Sequence, residues 1–334
     1  MSEYQGVLPQ SPGQRMPTKR GAASKKALTV VRFLLINLLI FILTFPFVVW
    51  TAFPDIRDVA VESVGASGHQ AWLHILGMSQ QEIENLFNTS TGPGGGTFGV
   101  TVTKHDNTIT EHQIIGSRFQ GYLLVVDDPN RVTMGVTDHL GVEGETTSQI
   151  AQDNGAVAAV NAGGFADPGG TGTGRSPMGL IMENGNIVWG GDTPGYVNLI
   201  GLSSKGILVS GSYAMDQIKE MHIRYGISFG PTLIKNGVEQ ITHGDGGKGI
   251  APRTAIGQKQ DGTILLLVID GRQSGGILGA TLLDVQNILY SQGAWNAANL
   301  DGGSSSTMYY GGQVINNPCD FLGERLVPTA FIVK

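Results

Sequence analysis

The chain has 334 residues, of which only 14% are charged, and its formal net charge is −6 at pH 7. The first 51 residues carry six lysines and arginines against one acid, which leaves 15 basic and 26 acidic residues beyond them. Such an acidic chain repels nucleic acid, and we expect no nucleic-acid partner. The single cysteine, Cys319, excludes an internal disulfide and a cysteine-based zinc site.

The amino-terminal region has the pattern of a membrane anchor. Residues 1–26 are basic, rich in polar residues, proline and glycine, and without apolar periodicity, which predicts a disordered tail. Residues 33–53 carry no charge, and a helix of that length would be about 31 Å long, close to the ~30 Å hydrocarbon core of a bilayer. We therefore predict one transmembrane helix over residues 27–53. A cleavable signal peptide is the alternative, although its apolar region is usually shorter, about 7–15 residues.

The charge asymmetry also predicts orientation and domain boundaries. The positive-inside rule places the basic tail in the cytoplasm and the rest of the chain outside a single-pass cell-membrane protein. Residues 54–97 are predicted to form a helical stalk that ends in a glycine-rich linker, STGPGGGT. Residues 98–334 are predicted to form the extracellular domain.

The elements of this domain alternate between apolar runs and glycine-rich turns. Two helices are predicted, at residues 145–154 and 281–292. Strands and hairpins are predicted at residues 121–126, 131–136, 156–161, 177–181 with 186–189, 229–234 with 238–242, 253–256, 263–270, 296–300, 310–313 and 327–333. This order predicts an α+β fold with a large mixed β-sheet core and few helices, preceded by the transmembrane helix.

Three of the apolar strands end alike, with a polar residue before a glycine turn. The three polar residues are Asn161, Asp270 and Asp301. Polar strand ends beside glycine turns are places where sheets present binding sites, so we expect the three ends to share one cleft. The alternative is that these residues only cap turns.

The candidate catalytic and binding groups lie at these ends. Two carboxylates across a cleft can act as acid and base, and Asp301 and Asp270 are the first pair, with Glu324 third. The guanidinium fork of arginine matches a phosphate, which makes Arg253 and Arg272 candidates, and also Arg325. Each arginine could instead pair with a neighbouring acid.

Other chemistries have weaker support in the sequence. There is no H-E-x-x-H zinc motif, no G-x-S-x-G nucleophile elbow and no Walker lysine pattern. We expect no resident cofactor. Asp167 in its glycine-rich loop, or Asp270 with Asp301, could bind Ca²⁺, although the spacing is not that of an EF-hand.

Five motifs together resemble the phosphodiester glycosidase family, in its bacterial, membrane-anchored branch. They are NAGGF (161–165), APRTAIG (251–257), VIDGR (268–272), NLDGGSSSTM (299–308) and ERLVPTAF (324–331). The resemblance runs from Tyr122 to the carboxyl terminus. It implies hydrolysis of a sugar-1-phosphodiester, with release of the sugar and a phosphomonoester. The positions that match the family's motifs are Asn161, Gly163, Gly164, Arg253, Asp270, Gly271, Arg272, Asp301, Gly302, Gly303, Ser304, Ser305, Thr307, Glu324 and Arg325.

Chemistry suggests roles for these residues. Arg253 and Arg272, with the donors of the 302–307 turn, would hold the phosphate. Asp301 would act as base or nucleophile at the anomeric carbon, with Asp270 or Glu324 as its partner. A non-catalytic module that binds anionic envelope glycopolymer and a metal-assisted phosphodiesterase that cleaves the P–O bond are the alternatives. The enzymatic reading requires Arg253, Asp270 and Asp301 to meet in space.

Overall fold

The structure is a computed structural model that describes residues 31–38, 40, 44, 97–103, 105–167, 172–193 and 195–334. Two compact units are distinguished, Met1–Arg57 and Asp58–Lys334. In the first unit residues 31–38, 40 and 44 are helical. Most of the predicted anchor, with the predicted tail and stalk, lies outside the described residues. Within the part of the chain that is described, no helix combines the length and apolar composition needed to cross a bilayer.

The second unit is dominated by β-strands. Its three described α-helices are α1 (Thr147–Asp153), α2 (Met215–Glu220) and α3 (Leu282–Ser291), and two short 3-10 helices span Pro129–Arg131 and Gly303–Ser305. The strands are β1 (Ile109–Ile115), β2 (Gln120–Val126), β3 (Val132–Val136), β4 (Glu145–Thr146), β5 (Ala158–Asn161), β6 (Ile181–Glu183), β7 (Asn186–Trp189), β8 (Tyr196–Ser203), β9 (Leu208–Ala214), β10 (Ile223–Ser228), β11 (Thr232–Lys235), β12 (Val238–Glu239), β13 (Arg253–Lys259), β14 (Ile264–Ile269), β15 (Ala294–Asn299), β16 (Met308–Tyr310), β17 (Gln313–Val314), β18 (Leu326–Val327) and β19 (Thr329–Val333). This content confirms the α+β class.

The strands form three main sheets, whereas the sequence predicted one large mixed sheet. Their orders are β1-β2-β14-β13-β15-β11-β12, β7-β6-β10-β8-β9 and β17-β16-β5-β19-β3, and β18 pairs with β4 in a small ribbon. Every strand pair in the described residues is antiparallel, so the prediction of a mixed sheet was wrong. The apolar runs without alternation arise because several strands, among them β5 and β14, are covered on both faces.

The core explains this double burial. One apolar cluster includes residues of all three sheets, among them Leu266, Val160 and Ile227. A second cluster packs α3 on the opposite face of the seven-stranded sheet, and α1 packs in the same way on the sheet of β5. Strand β14 is therefore buried at all six positions, as a strand covered on both faces must be.

Short sequence patterns account for the ends of α3 and for two of the hairpin turns. Thr281 and Asp284 form a capping box at the start of α3, and Gly293 follows the helix with a φ of +85°. Asn184 and Asn236 each adopt a left-handed conformation before a glycine, which gives the tight hairpins β6–β7 and β11–β12.

Candidate functional site

Three strand ends of the seven-stranded sheet meet at one edge. Arg253, the first residue of β13, pairs with Ile269 at the end of β14, and Ala255 pairs with Asn299 at the end of β15. Because these pairs are antiparallel, the residues that follow β14 and β15 flank the beginning of β13. Asp270 and Asp301 therefore lie on either side of Arg253. The structure brings together the three residues that the sequence separates.

The end of β5, in a different sheet, is joined to this edge by the amide of Asn161. Its Nδ2 donates to the carbonyl oxygen of Asp301 at 2.6 Å. Its Oδ1 accepts from the Thr254 hydroxyl at 2.8 Å and from the Thr307 backbone N–H at 3.1 Å. The side chain is fully buried. Asn161, predicted to bind substrate, is thus placed as an internal bridge that positions Asp301.

Asp301 is the acid with the most perturbed environment at this edge. Although the residue retains some accessible surface, protein surrounds its carboxyl, and burial raises its pKa from 3.8 to about 6. The Ser305 hydroxyl, the Arg325 guanidinium and the Gly302 backbone N–H partly oppose this rise in pKa. The Ser305 oxygen lies outside regular hydrogen-bond geometry. A carboxyl with a pKa near 6 is mostly ionised at neutral pH yet is a much better proton acceptor than an ordinary aspartate.

Arg253 brings a positive charge to the edge but uses its donors internally. Its Nε donates to the carbonyl of Ala280 at 2.9 Å, and Nη2 donates to the carbonyls of Lys248 and Gly249 at 2.9 and 2.5 Å. Burial, followed by the nearby positive charge of Arg272, lowers its pKa to about 10. Arg253 therefore remains cationic at neutral pH. It adds positive charge to the edge, but its Nε and Nη2 are not free to bind a phosphate in a bidentate way.

Arg272 is the exposed arginine of the edge. Its backbone has a φ of +57°, and a Cβ built on Gly303 would lie 3.3 Å from its Nη1. Gly303 itself has a φ of +63°, so the turn and the guanidinium face each other closely. Among the described residues no hydrogen bond or ion pair engages this guanidinium. Arg272 is consequently the group best placed to receive a phosphate over the glycine turn.

Asp270 is placed as an anchor for a neighbouring loop. It is buried, and its Oδ1 accepts from Asn316 Nδ2 at 2.9 Å and from the Asn317 backbone N–H at 3.0 Å. Burial raises the pKa of its carboxyl, and these two hydrogen bonds oppose the rise. The carboxyl proposed as a partner for Asp301 thus holds residues 316–317 against the site.

Glu324 is engaged at the amino terminus of α1. Its carboxylate accepts from the backbone N–H of Ser148 at 2.9 Å and from the Ser148 hydroxyl. A carboxylate at this helix end satisfies free backbone donors and complements the helix dipole. The third predicted acid is therefore also placed in a structural role.

Arg325 connects the glycine-rich 161–175 segment with Asp301. It forms an ion pair with Asp167, and its guanidinium lies over the Phe165 ring at 4.8 Å. Its charge also acts on Asp301, where it favours the carboxylate. The sequence pointed to Asp167 only as a possible Ca²⁺ ligand. In the structure this carboxylate also accepts from the Gly172 backbone N–H at 3.0 Å.

The glycines of the motifs permit close approach of the backbone. A Cβ at Gly302 would lie 2.8 Å from the Pro252 carbonyl oxygen, and one at Gly164 would lie 2.6 Å from the Phe229 ring. The Gly163 N–H donates to the Thr329 hydroxyl at 2.9 Å. A side chain at Gly302 would therefore displace the backbone at Pro252, and one at Gly164 would displace the Phe229 ring.

The hydroxyl residues after Gly303 complete the turn. Among the described residues, the buried hydroxyls of Ser306 and Thr307 have no hydrogen-bond partner, the Ser305 hydroxyl acts on Asp301 without regular hydrogen-bond geometry, and the Ser304 hydroxyl contacts Cys319 Sγ at 3.8 Å. Such a cluster of unsatisfied polar groups is unusual for a buried turn and is common where a protein binds ligand or water. Sequence reasoning missed Asn316, Ser148 and Thr254, because their partners lie far away in the chain.

Comparison with known proteins agrees with this architecture. Residues 154–334 match the model of a family described as phosphodiester glycosidase. The SPbeta prophage-derived protein YomE of Bacillus subtilis is 30% identical over 215 residues, covering 61% of this chain and 31% of YomE. N-acetylglucosamine-1-phosphodiester alpha-N-acetylglucosaminidase of Bos taurus is 26% identical over 206 residues, covering 54% of this chain and 36% of the bovine protein. The chain thus spans about a third of the length of these relatives.

A solved structure shares the fold. The catalytic domain of zebrafish N-acetylglucosamine-1-phosphodiester alpha-N-acetylglucosaminidase, auto-inhibited by its pro-peptide, superposes with a TM-score of 0.56. The match covers 72% of this chain and 86% of the zebrafish chain at 24% identity.

Proposed function

Because the chain belongs to the phosphodiester glycosidase family, we propose that it hydrolyses the glycosidic bond of a sugar-1-phosphodiester. The observation that carries the proposal is the position of Asp301, whose pKa of about 6 suits a base or nucleophile, at an edge that also holds Arg253 and Arg272. A negatively charged phosphodiester and a developing positive charge at the sugar need these two kinds of group side by side.

The reaction divides between the two sides of the edge. The bond from the anomeric carbon to the phosphate oxygen breaks, and its electron pair leaves with the phosphate as a phosphomonoester. Water supplies the hydroxyl of the released sugar, and its proton passes to the carboxylate of Asp301 if that residue acts as base. If Asp301 attacks directly, a glycosyl ester forms first and water then cleaves it.

The arginines lower the barrier through charge rather than proton transfer. A phosphomonoester is already a good leaving group, so neutralising its charge matters more than protonating it. The Arg272 guanidinium lies beside Gly303, has no hydrogen-bond or ion-pair partner in the described part of the chain, and would contact the phosphate oxygens. Arg253 would contribute mainly its positive charge, since its Nε and Nη2 already donate to backbone carbonyls.

We further propose that the domain acts outside the cytoplasm on envelope glycopolymer or exopolysaccharide. The support is in the sequence, where the uncharged segment 33–53 follows a basic tail. The acidic net charge of the remaining chain requires that an anionic substrate be attracted locally, and Arg272 meets that need.

A panel of substrates tests the proposal. The purified full-length chain would be incubated with methyl diesters of N-acetylglucosamine-, glucose- and galactose-1-phosphate in ¹⁸O-labelled water, and the products would be analysed by mass spectrometry. We expect free sugar that carries ¹⁸O and an unlabelled methyl phosphate. NMR of the anomer that is released first distinguishes the two possible roles of Asp301. A general base gives inversion at the anomeric carbon, and a nucleophile gives retention.

Two other outcomes would contradict this proposal in different ways. Label in the phosphate instead of the sugar would indicate cleavage of the P–O bond, as a metal-assisted phosphodiesterase would produce. Retention of anionic polymer on the protein without any released sugar would indicate a binding module. Asp301→Asn should reduce turnover at least ~100-fold, and near-normal turnover in this variant would remove Asp301 from catalysis.

A further inference from the structure

A tight turn beside the candidate site displays two large apolar side chains. Gly323 N–H donates to the Asp320 carbonyl at 3.1 Å, and Leu322 N–H donates to Asp320 Oδ1 at 3.1 Å. Phe321 is 98% exposed and Leu322 is 86% exposed. These are the highest exposures among the large hydrophobic residues in the described chain. The 320–323 turn therefore presents an apolar tip through defined hydrogen bonds.

Both ends of this turn are attached to residues of the site. On the amino side, Asp270 holds Asn316 and Asn317, and Cys319 Sγ contacts the Ser304 hydroxyl. On the carboxyl side, Arg325 follows within two residues of the turn and acts on Asp301. Since one residue spans at most ~3.6 Å, the backbone of Phe321 lies within about 7 Å of Cys319. The apolar tip thus lies at the rim of the site.

The neighbouring 272–278 segment adds to this rim. It carries the exposed Arg272 and ends at Leu278, which is 52% exposed. The Gln273 side chain donates to the Asn317 carbonyl at 2.6 Å and links this segment to the chain leading into the 320–323 turn. The segment with the cationic Arg272 and the segment with the exposed apolar side chains therefore both flank the glycine turn.

This combination matches a substrate with a phosphate and a hydrocarbon chain. Exposed apolar groups at the rim of a polar site are a feature of binding surfaces, since covering them is favourable. A hydrocarbon chain can cover both Phe321 and Leu322, whereas a free sugar phosphate or a polysaccharide aglycone offers much less apolar surface. The acidic net charge of the chain after residue 51 disfavours general attraction to an anionic membrane, so the contact must be local and apolar.

We propose that the substrate is a lipid-linked sugar-1-phosphodiester, whose hydrocarbon lies against the 320–323 turn while Arg272 binds its phosphate. This inference rests on the proposed function and specifies its aglycone. Hydrolysis would break the bond between the anomeric carbon and the phosphate oxygen, add water at the sugar, and leave a lipid phosphomonoester. The predicted segment 33–53 would keep the domain at the membrane that holds such a lipid.

A matched pair of aglycones tests the inference. The full-length chain in phosphatidylcholine nanodiscs would be assayed with the methyl and octyl diesters of the three sugar-1-phosphates. We expect kcat/KM for the octyl diester to exceed that for the methyl diester at least tenfold. The double variant Phe321→Ser/Leu322→Ser should reduce this ratio at least fivefold. Val238→Ser is the control, because Val238 is 62% exposed and lies in the hairpin beside Trp295, at the opposite end of β15.

The outcomes separate the two proposals. Cleavage of both diesters with equal kcat/KM would overturn the lipid inference and leave the proposed hydrolysis standing, whereas cleavage of neither would overturn both. An equal fall of the ratio in the double variant and in Val238→Ser would also overturn the inference. A double variant with an unchanged ratio but an altered mass in sedimentation would assign the turn to self-association instead.

Discussion

Asp301→Asn should make the protein more stable at neutral pH. Burial raises the pKa of this carboxyl from 3.8 to about 6, so the folded protein favours the neutral side chain. Each tenfold change in acidity corresponds to about 1.4 kcal/mol, so keeping the charge in the folded state costs up to about 3 kcal/mol at pH 7. This figure is an upper bound because the residue retains accessible surface. Asparagine has the same shape without the charge, so Asp301→Asn should raise the free energy of unfolding at pH 7 by most of this amount.

The sign of the pH dependence follows from the direction of the shift. The folded-state pKa lies above the unfolded one, so protonation of Asp301 stabilises the folded state. This stabilisation is complete below pH 3.8, is lost as the pH rises through 6, and is absent at pH 7.5. The asparagine variant should therefore match the wild type at pH 4 and exceed it at pH 7.5.

Urea unfolding of the full chain at both pH values measures the effect. The exposed Asp153→Asn on α1 is the control, since it removes one negative charge without changing a buried group. A gain for Asp301→Asn of equal size at both pH values would refute the reasoning, as would a loss at pH 7.5. The same variant should show at least ~100-fold lower turnover, so stability and activity would change in opposite directions.

Three further predictions concern the neighbours of Asp301. Asn161→Ala should lower the free energy of unfolding, measured by urea titration, by about 2–4 kcal/mol, because the three groups that bond to its amide would stay buried and unpaired. A loss below about 1 kcal/mol would contradict its bridging role. Arg272→Gln should leave the Tm nearly unchanged and raise KM for the diester at least tenfold, and an unaltered KM would exclude it from phosphate binding. Asp167→Asn removes the ion-pair partner of Arg325, so the positive charge of Arg325 should lower the pKa of Asp301 further and move the acidic limb of the kcat/KM profile to lower pH. Asp167→Glu keeps the ion pair and should leave the limb in place, and movement of the limb to higher pH in Asp167→Asn would argue against this coupling.

The elements of the fold were largely accessible from local patterns. The helix that α3 forms, the two hairpins at Asn-Gly turns and the apolar run of β14 each depend on residues within a few positions, and each was predicted from the sequence. The division into three antiparallel sheets was not accessible in this way. A strand that is buried on both faces has the same apolar pattern in a parallel and in an antiparallel sheet, because the pattern depends on burial and not on the direction of the neighbouring strands.

The sequence predicted which strand ends lie together, but it did not predict the contacts that their side chains make. Glycine turns after Asp270 and Asp301 indicated the edge correctly, since such turns mark strand ends. Whether an acid is free to act on a substrate depends on hydrogen-bond donors from distant parts of the chain. Asn316 donates to the Asp270 carboxylate, and Ser148 donates to the Glu324 carboxylate. These partners come from other elements, so no local pattern in the chain reveals them.

The bridging amide of Asn161 has a consequence for how the molecule is made. Its three partners lie 93, 140 and 146 residues further along the chain. Contacts of such long range form late in folding, after their loop-closure entropy has been overcome. During vectorial synthesis, the carboxylate and the arginines would therefore stay dispersed until residue 307 has emerged. A nascent chain that lacks residues 301–307 would therefore not hold Asn161 and the arginines in the arrangement of the folded domain.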